Sequence, residues 1–259
     1  MRIKLTLVLV IAMIGLSLVG VRAQEPAKKA ELPKPDADGF ITLFNGKDLT
    51  GWEGLEDHWS VKDGTIQGSQ TLENAKHTFL ILGASRAEPS KFANFELRFK
   101  YKWLSTGGDS GIQFRSKMVE DTRDPTNKFK VGGYQINTVP QRTYDGGLYD
   151  EASVAGNRGI MSQRGFKTTW DKDNKRTNDP LPQSAQELLA FVHEPNTEFN
   201  DVVFVANGGH FTITMNGHLM GEVIDQSPKA VLDGGLIAFQ LHTGRAMTIQ
   251  FKDVKIKFL

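Results

Sequence analysis

Three stretches of the chain carry hydrogen-bonding side chains at alternate positions. In Gly111-Ile112-Gln113-Phe114-Arg115-Ser116, Gln113 and Arg115 alternate with the apolar Ile112 and Phe114. In Tyr134-Gln135-Ile136-Asn137, Gln135 and Asn137 alternate with Tyr134 and Ile136. In Leu236-Ile237-Ala238-Phe239-Gln240-Leu241-His242, Ala238, Gln240 and His242 alternate with Ile237, Phe239 and Leu241. Successive strand side chains point to opposite faces, so each polar set shares a face when its apolar partners enter a core. Solvated sheet faces favour Lys, Glu and Thr. Amide, guanidinium and imidazole groups instead make directional hydrogen bonds, and a sheet can converge them on one ligand. The alternative is three unrelated polar edges.

Other residues bear on the same chemistry. Gly146-Gly147-Leu148-Tyr149-Asp150-Glu151 offers a ring and two carboxylates, expected in a loop. It is either an aromatic platform for a sugar with an acid nearby, or a hydrophilic turn. Trp52 and Trp59 read as core residues. His58, His77, His193, His210 and His218 are scattered, with no HxH or HExxH spacing for a metal. Asp109 and Ser110 supply too few oxygens for a calcium site. The chain has no GxSxG, P-loop or GxGxxG motif, which removes the commonest hydrolase and nucleotide readings.

The elements that must position these residues are strands. Phe95, Leu97, Phe99, Tyr101 and Trp103 alternate with charged residues, the mark of a long half-buried strand. Asp63-Gly64 and Asn216-Gly217 each separate two strand-like runs by two residues, a tight hairpin signal. Further strands are expected at Thr78–Leu82, 201–206 and Leu236–His242, and at Met247–Phe258, whose alternation falters at Asp253. Only 184–192 (SAQELLAFV) reads as helix, with Ser184 and Glu187 at capping-box spacing. Segments 117–130 and 166–182 read as long loops. The fold class is therefore all-β: a two-sheet antiparallel sandwich with one short helix and long loops.

Bulk properties narrow the partners. Residues 1–23 read as a signal peptide: Arg2 and Lys4, an apolar run from Leu5 to Val21, and Val21-Arg22-Ala23 at the cleavage site. The expected location is periplasmic or secreted; an uncleaved anchor is the alternative, since the run approaches the ~17-residue lower limit of a span. Residues 24–38, rich in Pro, Lys, Glu and Ala, read as a flexible linker to a single domain, 39–259. Without cysteine the domain has no disulfide, so its stability must come from packing. Beyond the leader, 28 basic residues face 30 acidic ones, and no basic stripe suits nucleic acid. No segment of the mature chain is apolar enough to span a bilayer. A neutral or weakly charged small molecule is the expected partner.

Several ordered motifs carry a resemblance. They are the opening Gly39–Trp52 (GFITLFNGKDLTGW), the Trp59–Gly68 hairpin, the Asp109–Arg115 strand (DSGIQFR), Glu198–Val203 with Met215–Gly217, Gly235–His242 (GLIAFQLH), and Gln250–Lys257. Over nearly the whole mature chain this is similar to the 3-keto-disaccharide hydrolase domain family. The resemblance implies a concanavalin A-like jelly-roll sandwich whose concave sheet holds a glycoside oxidised to a ketone at C3. The resemblance implies an acid just after the middle Gln strand in many members; this chain has Asn137-Thr138 there, so either the Asp150-Glu151 loop supplies one or the site has none. Ordinary glycosidases flank the bond with two carboxyls, and no second carboxylate is evident on the predicted strands. A C3 ketone acidifies the C2 proton, so one base, one donor for the enolate oxygen and help for the leaving group suffice. His242 is the expected base or acid, since an imidazole of pKa ~6.5 suits proton transfer near neutrality. Arg115 is expected to stabilise the enolate. Gln113, Gln135, Asn137 and Gln240 orient hydroxyls, and Tyr149, Asp150 and Glu151 complete the site, with Glu151 a further catalytic candidate. A divalent metal could replace Arg115; no ligand set is evident, and no cofactor is firmly expected. The competing readings are a lectin-like carbohydrate-binding module and an ordinary glycosidase.

Overall fold

The computed structural model describes residues 31–259. The expected leader, 1–23, and the expected linker as far as residue 30 lie outside the described residues. The rest of that segment makes contacts with the domain. Leu32 packs against the hydrophobic core, and the Asp36 carboxylate accepts backbone N–H bonds from Asp38 and Phe40 at 3.0 and 2.8 Å. One apolar residue among prolines and charges was enough to dock the segment.

Two short strands, β1 (Ile41–Thr42) and β2 (Trp52–Glu53), precede the first hairpin, β3 (Trp59–Lys62) and β4 (Thr65–Gln70). Its turn residues Asp63 and Gly64 adopt φ of 49° and 72°, the left-handed pair that a two-residue loop requires. β5 (Thr78–Leu82) leads into α1 (Gly83–Ala87), a single turn with no side-chain cap and no apolar period to announce it. The long strands β6 (Phe95–Trp103), β7 (Ser110–Met118) and β8 (Val131–Thr138) follow. Leu148–Glu151, expected as loop, is strand β9, and β10 (Ile160–Ser162) pairs with it. Segment 166–182 also corrects the sequence reading. It forms β11 (Phe166–Trp170) and β12 (Arg176–Pro180), and β12 is solvent-exposed throughout, so no burial period marks it. α2 (Ala185–Leu189) carries the expected capping box between Ser184 and Glu187. The second hairpin joins β14 (His210–Met215) to β15 (His218–Asp225) after β13 (Asn200–Asn207). β16 (Leu236–Leu241) and β17 (Met247–Phe258) close the chain.

The strands form two sheets. One has ten strands, ordered β12-β11-β15-β14-β13-β6-β17-β4-β3 with β1 on β17; the other has seven, ordered β10-β9-β8-β7-β16-β5-β2. This is the concanavalin A-like jelly-roll sandwich. The core lies between the sheets, where Phe114 meets Phe204 at 4.5 Å between ring centroids and Phe239 stacks on Phe251 at 4.1 Å. Each such side chain contributes about 1.5–3 kcal/mol when fully buried. Among the described residues no helix is long and apolar enough to cross a membrane.

The outer face of the seven-stranded sheet is divided. Across β5 and β16, Phe79, Ile81 and Ala238 form a small apolar cluster with Val131 and Leu236, covered by Met118 and Phe129. Met118 precedes the 119–130 loop and Phe129 lies within it, so the loop is held over that half of the sheet. The other half, over β7, β8 and β9, is polar.

Candidate active site

The polar half contains a cleft of about 220 Å³ lined by Asp109, Gln135, Asn137, Tyr144, Tyr149, Glu151, Ile160 and His242. Larger surface depressions exist, but this one collects the amide, carboxyl and imidazole groups.

Its floor is a directional row of amides. Gln113 lies opposite Gln135 across the β7–β8 ladder. The Ser116 hydroxyl donates to Gln113 Oε1 at 2.8 Å, Gln113 Nε2 to Gln135 Oε1 at 2.5 Å, and Gln135 Nε2 to Asn137 Oδ1 at 2.7 Å. Each bond fixes the orientation of the next amide, and the row ends with the Asn137 NH2 group at the cleft. Gln113 is fully buried, so it orients Gln135 rather than reaching a ligand. Glycine is required beside it: a Cβ on Gly111 would lie 2.4 Å from the Gln135 side chain.

The carboxyl and imidazole groups meet at the ends of β9, β16 and β5. Gln240 Nε2 donates to Glu151 Oε2 at 3.1 Å and lies 3.0 Å from His77 Nε2. Glu151 Oε1 is 3.4 Å from the same His77 nitrogen. Gln240 Oε1 is buried with no hydrogen-bond partner among the described residues. Burial pushes the Glu151 carboxyl pKa up, opposed by the Gln240 hydrogen bond and the His242 charge, and Asp109 adds to the rise. Asp109 is also raised, chiefly by burial, against the attraction of His242 and Arg245. Burial lowers His77 to about 3, with help from the charges of His242 and Lys130. His77 is therefore a neutral imidazole, and its Nε2 can accept from Gln240. His242, half-buried, directs Nδ1 towards the Thr243 carbonyl at 3.1 Å, while its backbone N–H donates to the Asp109 carbonyl at 3.1 Å. That backbone bond places Asp109 and His242 side by side.

An aromatic wall faces these groups. Tyr149 sits on β9 opposite Gln135, and burial with the charges of Glu151, Asp150 and Asp109 raises its phenol pKa. Tyr149 thus keeps its proton and remains a donor. Tyr144 is 47% exposed at the mouth. Its neighbour Asp145 is buried and bonded by the Tyr101 hydroxyl and, at 2.9 Å, by Thr138 Oγ1, which anchors the Tyr144 loop in the inter-sheet core.

Two expected site residues lie elsewhere. Arg115 does not share a face with Gln113. The β7–β8 register shifts between Phe114 and Lys117, and Arg115 adopts φ of 44°, a bulge that breaks the alternation. Its guanidinium is buried and donates to the carbonyls of Ala93, Gly208 and Val231 at 2.7, 2.7 and 3.0 Å. It clamps three chain segments and cannot reach the cleft. Asp150 shares the inner face with Tyr134, its cross-strand partner. Its carboxylate accepts from the backbone of Ala155 and Arg158 at 2.7 and 3.0 Å, closing the 152–159 loop. The cleft thus receives Gln135, Asn137, Tyr149, Glu151 and His242, with Gln113 and Gln240 bonded behind them.

Sequence reasoning missed His77, Asp109 and Tyr144. His77 directly precedes β5, and Asp109 directly precedes β7. A search for polar residues at strand ends that face the amide row would have found both. Among the described residues no three His, Asp or Glu side chains are grouped to hold a metal ion.

The fold and site are a two-sheet β-sandwich with an amide-floored cleft lined by acids and imidazole. Residues 39–257 match the 3-keto-alpha-glucoside-1,2-lyase-like domain, and the chain belongs to that family. A 3-keto-disaccharide hydrolase of Bacteroides thetaiotaomicron is 33% identical over 134 residues, covering 47% of this chain and 42% of that protein. The match thus spans less than half the length of that relative. Among solved structures, a candidate glycosyl hydrolase of Parabacteroides distasonis superposes with a TM-score of 0.52 at 19% identity, covering 86% of this chain and 95% of the other. A Bacillus subtilis protein of unknown function with a galectin-like fold gives 0.53 at 14% identity, covering 88% and 98%. At these identities the two structures show the fold alone.

Proposed function

We propose that this protein cleaves the glycosidic bond of 3-keto-glycosides by removing the C2 proton. His242 takes that proton, and the C2–H electron pair forms the enolate, with C2=C3 and negative charge on O3. The enolate then re-forms the ketone and expels the C1 substituent, leaving a C1=C2 enone. Glu151, whose carboxyl pKa is raised chiefly by burial, gives its proton to the departing oxygen. Addition of water across C1=C2 completes a net hydrolysis; release of the enone is a lyase reaction. The protonated Tyr149 hydroxyl and the Asn137 amide supply the donors for O3 and its neighbours, in place of Arg115. Gln240 positions Glu151 against neutral His77. Export follows from the leader-like residues 1–23 and forms part of the proposal.

One observation carries this reading: a chain of this family places a carboxyl of raised pKa and an imidazole in one small cleft floored by amides. A proton donor and a proton acceptor within one small cleft are what paired acid and base roles require. The test is purified His242→Ala protein with a 3-keto-glucoside. Loss of cleavage with sugar affinity retained supports the role, and unchanged cleavage removes His242 from the mechanism.

A second reading rests on Asp109. With Glu151 it gives the cleft two carboxyls, the equipment of an ordinary glycosidase. Matched glycosides with and without the 3-keto group separate the readings: direct glycosidase action cleaves the unoxidised sugar, a lectin binds it unchanged, and the proposed enzyme cleaves only the ketone.

A further inference from the structure

A second pocket of about 200 Å³ lies on the far side of His77, lined by Lys76, Asp121, Arg123, Asp124 and Lys130 with Thr243. It adjoins the cleft. His77 lines it while Nε2 of the same ring faces Glu151, and Thr243 follows His242, which lines the cleft.

The 119–130 loop forms its outer wall, and the loop is built rather than loosely draped. The Asp121 carboxylate accepts from Asn127 Nδ2, Lys130 Nζ and the Arg123 backbone at 2.9, 3.1 and 3.2 Å. Asn127 Nδ2 also reaches the His77 carbonyl at 2.8 Å, tying the loop to the segment it faces. The charges are not balanced. Lys130 pairs with Asp121 at 3.1 Å and Lys76 with Asp124 at 2.5 Å. Each acid is thus matched by a lysine, and the third cation, Arg123, is left over. Its guanidinium is exposed and has no hydrogen-bond or ion-pair partner among the described residues. The surplus is felt locally, since Lys130 and Arg123 both help hold His77 neutral.

We infer that this pocket is an anion-recognising subsite: Arg123 receives a carboxylate carried by the part of the substrate that extends over His77. The inference rests on the keto-glycoside reading of the adjoining cleft and names its substrate class, a glycoside bearing a uronate-type acid. A planar guanidinium binds a carboxylate through two parallel N–H bonds, so one free arginine is enough to discriminate. The flanking lysines, already paired, keep the acids of the wall from repelling the ligand.

The experiment uses two probes and two readouts. The probes are a neutral glucose disaccharide and its counterpart whose reducing-end C6 is oxidised to a carboxylate. Binding of both unoxidised sugars is measured calorimetrically, and turnover of both 3-keto derivatives is followed kinetically, for wild type and Arg123→Gln. The acidic sugar should bind about tenfold more tightly to wild type, with the preference lost in R123Q and screened by salt. R123Q should leave the neutral keto-sugar's kcat/KM unchanged. Equal binding of the two sugars by wild type, or a preference that R123Q retains, overturns the subsite. Absence of turnover with either keto-sugar, while the acidic sugar still binds preferentially, contradicts the function of the cleft and leaves the subsite standing.

Discussion

The imidazole rings of His77 and His242 lie 4.6 Å apart between centroids, tilted by 41°. Burial, helped by the charges of His242 and Lys130, lowers His77 from 6.5 to about 3, so its ring is neutral. A group whose folded-state pKa is depressed adds stability above its unfolded value and loses it as pH falls towards the folded value. Between pH 6.5 and about 3 the unfolded chain binds the His77 proton and the native chain does not. Stability should therefore fall with acid across that window. Denaturant titrations at several pH values should show His77→Asn with a shallower acid decline than wild type; an identical decline removes His77 as its source.

Glu151→Gln keeps the Gln240 contact and has no proton to give. Its turnover of a 3-keto-glycoside with a poor leaving group should drop about 10²–10⁴-fold, the usual worth of a general acid. The deficit should shrink with a phenolate leaving group, which departs unprotonated. In wild type, the raised Glu151 pKa places the loss of activity on the alkaline side, as the carboxyl ionises. Equal deficits for both leaving groups would contradict proton donation.

Gly111→Ala tests the amide row. The new Cβ would stand 2.4 Å from Gln135, displacing the amide and breaking its bonds to Gln113 and Asn137. KM should rise about tenfold, the equivalent of about 1.4 kcal/mol or one net hydrogen bond, with thermal stability only modestly reduced. An unchanged KM would show that the row does not touch substrate.

Arg115→Met separates the clamp from the chemistry. Three carbonyls lose their donor, so stability should fall by about 2–4 kcal/mol. Protein that remains folded at low temperature should keep the wild-type kcat. A selective collapse of kcat with the melting temperature preserved would return Arg115 to the reaction.

Arg115 also shows where sequence reasoning stops. The alternation of Ile112 and Phe114 gives the face of Gln113, though not its burial behind Gln135, and misplaces Arg115, because a bulge occurs at a residue with no Gly or Pro to signal it. The bulge is packed against the residue that precedes β16: Gly235 approaches so closely that a Cβ there would lie 2.5 Å from the Arg115 carbonyl carbon. The sandwich itself was legible, since burial on one face leaves a period of two and the Asp63-Gly64 and Asn216-Gly217 turns fix two hairpins. β12 escaped because an exposed edge strand has no such period. Gln135 and Asn137 could be placed by alternation along their strand; Glu151 could not, because its segment reads as a loop and is strand β9. His77 and Asp109 could not, since they enter the site from strand ends, where the approach of β5 and β7 to their neighbours decides what is adjacent.

The central claim is that the C2–H bond breaks, and the most direct measurement follows that hydrogen. A 3-keto-glycoside deuterated at C2 is cleaved in ordinary water, and the sugar product is analysed at early time against an enzyme-free control. Abstraction of the C2 proton removes the label from C2, whether the product is the C1=C2 enone or its hydrate. A saturated product that retains the deuterium in full would contradict it.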